Sequence, residues 1–306
     1  MLVYLQNKPF PIIMAALALL VLQTSNGWAF FDQVRSTRDN GAGCSYISVP
    51  EEEAIPVNPA ISLFTKTKAS GVFDMGLLML GLNHSKDELN SWNAGVSYRI
   101  DDTQAAGVQF NRLSFTSVYS ENTFSAFYAR KVLPKTGVYG RLKYLNKKYI
   151  EDEYTKIDPV FINNGYMKSA MTVDLGAVYS NEYYGAGVSI LNITRPNMGL
   201  QDESIVPITV ILGGHYYPSW RDSMLSAAFT KKEKTSEMGI GAEKWLSSKK
   251  LGLRIGTQFG DNNLFGITSG VSINIEDTRI NYSINWPLSG VENTYGNQWI
   301  GLTLKF

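Results

Sequence analysis

Reactive side chains are scarce in this 306-residue chain. There are two histidines, His84 and His215. A hydrolase built on a serine needs an imidazole held against that serine by a third polar group. His84 and Ser85 are only sequence neighbours in a loop, and His215 beside Tyr216 reads as an interior strand residue. No Cys/His/Asp cluster has metal-ligand spacing. The acidic run Glu51, Glu52 and Glu53 suits a cation on charge alone, but a solvated acidic turn accounts for it more simply. The single cysteine, Cys44, can make no internal disulfide and reads as a small side chain buried in a loop. The expectation is therefore no enzyme, no metal and no cofactor.

What remains is electrostatic chemistry on one side of extended segments. Arg99, Tyr139, Arg141, Lys143, Asp174, Glu237, Glu243, Arg254, Arg279 and Lys305 all fall on the polar side of an alternating pattern. Within 250–260, Leu251, Leu253, Ile255 and Phe259 oppose Gly252, Arg254, Gly256 and Gln258; within 299–306, Ile300, Leu302, Leu304 and Phe306 oppose Gly301, Thr303 and Lys305. Period-two alternation over segments of about ten residues is the pattern of membrane-spanning antiparallel strands. It predicts an all-β antiparallel transmembrane barrel of about fourteen strands from residue 70 onward. Mixed charges inside a barrel of that size predict ion-pair networks in a narrow lumen, not a wide pore. In 103–119 the phase shifts near Arg112, from Ala106, Val108 and Phe110 to Leu113 and Phe115, which predicts a bulge.

The connections alternate as well. Tight polar turns at 101–102, 133–135, 181, 218–220, 247–249 and 276–277 interleave with a set that includes the long segments 83–87, 151–166, 195–204 and 288–293. Short turns on one rim and long loops on the other place the former in the periplasm and the latter outside. Aromatics near strand ends, among them Trp92, Tyr98, Tyr149, Tyr154, Tyr183, Tyr184, Tyr216, Tyr217, Trp220, Trp245, Trp286 and Trp299, suit the headgroup girdles of such a barrel.

Residues 1–29 read as a signal peptide. Lys8 precedes an apolar run over 12–22, and Gly27 and Ala29 supply small residues for cleavage after Ala29. That run is too short to span a membrane as a helix. A net charge of +1 offers no basic excess for nucleic acid. Residues 30–69 are too broken by glycine and proline for a long strand, yet Val49, Ile55, Val57 and Ile61 keep them from being plainly disordered. Their predicted place is the lumen, as a plug whose Glu51–Glu53 run meets inward Arg and Lys. Pro56 and Pro59 would hold the chain extended around Asn58, leaving its amide free for the wall. The barrel itself is assigned to 70–306.

The run Gly41, Gly43, Glu51, Glu52, Glu53, Asn58, Pro59 and Ala60 resembles the N-terminal segment of the outer-membrane barrels that join FadL-type fatty acid transporters to PorV and PorQ. Cys44, Pro50 and Ile61-Ser62 depart from that pattern. Phe306, ending a strand, resembles the C-terminal signal read by the barrel-assembly machinery. The resemblance implies an outer-membrane protein of a Gram-negative bacterium, in contact with outer-membrane lipids. It would pass hydrophobic small molecules or act in type IX secretion beside secreted proteins. Residues 191–196 ahead of a strand near Pro207 also resemble the PorP/SprF secretion barrels. A periplasmic β-rich binding protein is the non-membrane alternative.

Overall fold

The structure, a computed structural model, describes residues 30, 35–81, 89–115, 118–218, 222–261, 264–289 and 294–306. The proposed signal peptide, the His84-Ser85 pair and Trp220 lie outside the described residues.

Period-two segments become the strands of one closed barrel. They are β1 (Ala69–Leu78), β2 (Leu89–Arg99), β3 (Gln104–Phe115), β4 (Tyr119–Leu133), β5 (Thr136–Tyr149), β6 (Met167–Ser180) and β7 (Tyr184–Leu191). They continue as β8 (Thr209–Tyr216), β9 (Ser223–Lys232), β10 (Thr235–Leu246), β11 (Leu251–Gly260), β12 (Leu264–Ile275), β13 (Thr278–Pro287) and β14 (Asn297–Lys305). Each strand pairs antiparallel with its chain neighbours, and β14 closes on β1. At that seam Phe306 donates its N–H to the Ala69 carbonyl at 2.9 Å and accepts from the Ala69 N–H at 3.1 Å. Closure joins the first and last strands, as a sheet in lipid requires. Beyond Leu175 of β6 the non-strand segment after β7 takes over, with Ile193 donating to the Val173 carbonyl at 3.0 Å.

The faces follow the alternation. Ile255, Ile273, Tyr282 and Ile300 are exposed on the outer wall, whereas Arg254, Ser272, Asn281 and Thr303 are buried inside. Turns at 100–103, 134–135, 181–183, 217–222, 247–250 and 276–277 share one rim; the far rim carries 79–88, 150–166, 192–208 and 288–296. The far rim also has three short connections, 116–118, 233–234 and 261–263. Among the described residues no helix is long and apolar enough to cross a membrane, which leaves crossing by strands untouched.

Four expectations change. The register of β3 is unbroken against both neighbours, so there is no bulge at Arg112. Leu113 is buried in the lumen and Arg112 faces outward, so polarity and not phase changes there. Trp245 is also buried inside, and Trp299 shares the lumen side with Gly301 and Thr303, so neither belongs to an outer girdle. The seventh and eighth strands are shorter than 182–194 and 205–217. Asn192 and Arg195 adopt φ of 59° and 51°, which ends β7, and β8 begins two residues after Pro207.

Residues 35–65 lie inside the barrel. They form a short helix α1 (Thr37–Gly41) and 3-10 turns at Glu52–Ala54 and Pro59–Leu63, with nearly every side chain buried. Residues 56–63 therefore coil where an extended run was expected. Asn58 caps the second turn by accepting the Ala60 N–H at 3.2 Å.

Candidate functional site: the charged lumen

Serine and asparagine start the luminal elements because their side chains satisfy the first free N–H groups of a helical turn. Ser36 accepts from the Asp39 N–H at 3.2 Å to begin α1. The chain leaving α1 runs against the wall through small residues. A Cβ on Gly41 would stand 3.0 Å from the Ser283 Cβ, and one on Gly43 would meet the Ile240 carbonyl oxygen at 2.6 Å. Gly43 has φ of +71°, which only glycine adopts readily. The two glycines thus set α1 and its outgoing turn close to β10–β13.

That contact brings Arg38 to the principal charge cluster. Arg38 donates to both Glu243 carboxylate oxygens at 2.9 and 2.6 Å, and to Glu53 at 3.1 Å. It also pairs with Glu51 at 3.2 Å. Glu243 further accepts from the Tyr46 hydroxyl at 2.9 Å, the Trp245 indole at 2.7 Å and Arg254 at 3.3 Å. Arg279 donates to Glu51 and Glu53, each at 3.0 Å, and to Asn274 at 2.8 Å. Thr303 donates to Glu53 at 2.9 Å, and Lys305 pairs with Glu52 at 3.4 Å. Both Arg38 and Arg279 also lie over the Trp245 ring, at 5.3 and 5.1 Å.

The acidic run is thus not a solvated turn: Glu52 and Glu53 are buried and Glu51 partly so. Burial opposes their ionisation, but Arg279 and Arg38 hold Glu51 and Glu53 below the usual carboxylate range. Glu52 is raised, first by burial and then by its two acidic neighbours. Their carboxylates lie within 4.8 Å of one another, and the positive charge beside them in the structure comes from Arg38, Arg279 and Lys305.

Two further clusters tie the segment to the wall. Asp174 on β6 pairs with Arg141 at 2.7 Å and Lys143 at 3.0 Å, and accepts the Asn192 N–H at 2.8 Å. Arg141 also donates to the Pro56 carbonyl at 2.8 Å. Asp74 on β1 accepts the Thr37 N–H at 2.7 Å and the Asn93 amide at 3.0 Å. Singly, Arg99 donates to the Thr65 carbonyl at 2.8 Å, Asn58 to the Ala177 carbonyl at 3.1 Å, and Ser48 meets His215 Nδ1 at 2.9 Å. Pro59 and Ala60 are buried in the second turn, next to Gly137 of β5. Cys44, partly buried, contacts Asn40 and Gln258, and burial pushes its thiol up to about 12.

The charged residues expected inside, Arg99, Arg141, Lys143, Asp174, Glu237, Glu243, Arg254, Arg279 and Lys305, lie on the inward face, while the Phe306 side chain is exposed. Sequence reasoning missed Arg38, Tyr46 and Asp74. Asp74 was legible, since it alternates with Phe73 and Met75 on β1. Nothing in the spacing of Arg38 or Tyr46 reveals their partner. Among the described residues the arrangement is an interior held by ion pairs, and its one serine–imidazole contact, Ser48 with His215, leaves His215 Nε2 without a hydrogen-bond partner to orient the ring.

A family model described as type IX secretion system membrane protein PorP/SprF matches residues 84–306. Among curated proteins none matches. Of solved structures, a TodX monoaromatic hydrocarbon channel mutant superposes with a TM-score of 0.65 at 11% identity, covering 90% of this chain and 100% of that one. A Pseudomonas aeruginosa FadL homologue gives 0.63 at 11% identity over 90% and 99%. The Pseudomonas putida toluene transporter TodX gives 0.62 at 11% identity over 90% and 98%. At that identity the likeness is one of fold.

Proposed function

Because the chain belongs to the PorP/SprF family of type IX secretion system membrane proteins, we propose that it is a plugged outer-membrane barrel serving secretion as a fixed component and not as an open conduit. The observation that carries this reading is the lumen, where residues 35–65 are pinned by the Arg38–Glu243, Arg279–Glu53 and Arg141–Pro56 contacts. A barrel locked in this way offers its rims and outer wall to partners. The soluble binding protein falls away, since a membrane family and a wall of exposed Val96, Val108, Phe124 and Ile255 both oppose it. The barrel does no catalysis and binds no nucleic acid. Its partners are outer-membrane lipids, other secretion components or secreted proteins, and the barrel-assembly machinery, which reads Phe306. Cleavage after Ala29 releases the mature chain to the periplasm of a Gram-negative cell, and the short-turn rim stays on that side.

One observation favours a second reading, passage of hydrophobic molecules, as the names of TodX and FadL suggest for those proteins. The β6–β7 ladder covers only Leu175–Ser180 of β6, and residues 192–208 complete the wall above it without a long strand. Behind them lies an apolar cluster of Phe30, Leu145, Met198 and Val206. Deleting the gene separates the two readings. Loss of type IX cargo from the medium with hydrocarbon uptake unchanged supports the secretion role; intact secretion with impaired uptake overturns it.

A further inference from the structure

The outer wall over β2–β6 combines two features. It is indented: Ala94 and Ala126 stand at the base of a notch of about 490 Å³, with Phe110, Phe124, Tyr144 and Met171 around them. One rung closer to the long-loop rim, the outward row turns polar. Trp92, Arg112, Asn122, Asn146 and Ser169 pair in succession from β2 to β6. The next rung holds Asn90, Ser114, Ser120 and Lys148. On β12 and β13 the outer face stays apolar towards the same rim, through Ile267 paired with Trp286 and then Phe265 and Leu288. Polar residues also stand outward near this rim on β9–β10, where Lys231 pairs with Ser236, but there the lysine donates to that serine at 3.1 Å.

Arg112 and Lys148 are exposed, and neither has an ion-pair partner among the described residues. No acidic side chain stands on either rung: Glu121 of β4 is buried on the lumen side, and Glu151, Asp152 and Glu153 belong to the loop beyond β5, where Glu151 pairs with Lys156 at 3.8 Å. Two unpaired cations on an outer wall are costly at membrane depth and tolerable at the headgroup level, where an anion can meet them. An apolar notch below a shelf of two cations and two amides complements an amphiphile carrying phosphate. Its chain would lie in the notch, its phosphate between Arg112 and Lys148, and its polar linkage against Asn122 and Asn146, beside Trp92. We infer that this face seats one phosphate-bearing lipid of the outer leaflet. The leaflet rests on the orientation proposed above; the seat does not.

The test uses the full-length barrel, stripped of lipid in detergent and reconstituted into phosphatidylcholine vesicles with lipid A as the probe. Re-extracted protein is then weighed by native mass spectrometry, and heat-modifiable migration confirms that each variant is folded. One lipid A should stay on each wild-type barrel. Arg112→Gln and Lys148→Gln should each reduce retention roughly two- to fivefold, the range of an exposed charge pair. Ala126→Trp, which fills the notch, should reduce it as well, while Lys244→Gln, exposed on the outside of β10, should not. A wild type that retains nothing, or shelf and notch variants that retain as much as wild type, would overturn the seat. Orientation is read separately, by labelling Thr155→Cys with an impermeant maleimide on intact cells. Lipid retention without such labelling would break the leaflet assignment alone.

Discussion

Glu243 is the residue on which the luminal cluster turns, because it accepts from four side chains, Arg38, Tyr46, Trp245 and Arg254, at once. A buried ion pair is weak evidence of net stabilisation, but removing one partner strands the other charge in a dry interior. Glu243→Gln keeps the shape and removes the charge that Arg254 pairs with at 3.3 Å. It should cost roughly 3 kcal/mol, read as a lower denaturant midpoint of the heat-modifiable form. Glu237→Gln, at a partly exposed position on the same strand, should cost far less. Cys44 reports the same packing from another side. With its thiol pushed up to about 12, almost no thiolate exists at pH 8, and Gln258 lies against the sulfur. Cys44 should resist a bulky maleimide in the folded barrel and react after unfolding. Equal rates in both states would contradict the packing. The facing of Arg254 and Arg279 was legible in the sequence because alternation is local. That Arg38 completes their cluster was not, since its partner Glu243 is 205 residues away and no period connects them. Trp245 was misplaced although the signal existed: it lies two residues from Glu243 and so shares its face.

Strands show how far the alternation carries, and where it stops being enough. Leu302 lies between Ile280 of β13 and Phe73 of β1 on the outer wall, so Leu302→Arg should cost about 2–4 kcal/mol near mid-bilayer and reduce the folded fraction. Sequence alone makes Thr303→Arg the harmless comparison, because it points to the lumen. The structure makes it harmful too: Thr303 is fully buried and donates to Glu53, leaving no room for arginine. The lumen-facing parity was readable from the sequence, while the filling of the lumen was not. The short β7 and β8 carry the same lesson, since glycine, asparagine and proline mark a break near 192–207 without saying what holds it. Asp174 holds it, by accepting the Asn192 N–H while neutralising Arg141 and Lys143. Asp174→Asn should leave those two cations buried and loosen the segment at its start. Limited proteolysis of the purified barrel should then cut within 192–208 several times faster than in wild type. Unchanged cleavage would show that the segment is held elsewhere.

For the whole molecule, the decisive property is whether fourteen strands around a charged lumen make a pore. A barrel of this size encloses more space than its own wall side chains fill, and fewer strands than the wide porins use. Here residues 35–65 take up that space, with α1 against β12 and β13 and the 3-10 turn at Pro59–Leu63 against β4 and β5. The contacts are of two kinds. Backbone-close packing at Gly41 and Gly43 resists displacement by shape, and the Arg38, Arg279 and Arg141 pairs resist it by charge. In a planar lipid bilayer the wild-type protein should therefore show little steady ion conductance. Weakening only the charge contacts, with Glu53→Gln and Glu243→Gln together, keeps the strands and the glycine seats. Arg38 and Arg279, which share Glu53 and both lie over the Trp245 ring, would then keep only Glu51 as a common counter-charge. Like charges so placed repel, and water entering to solvate them would loosen the segment. The double variant, once shown to be folded by its heat-modifiable migration, should conduct in frequent openings that wild type lacks. Open-pore conductance in the wild type would mean that the ion pairs do not seal the lumen, and an equally silent double variant would place the seal in the glycine-mediated packing instead.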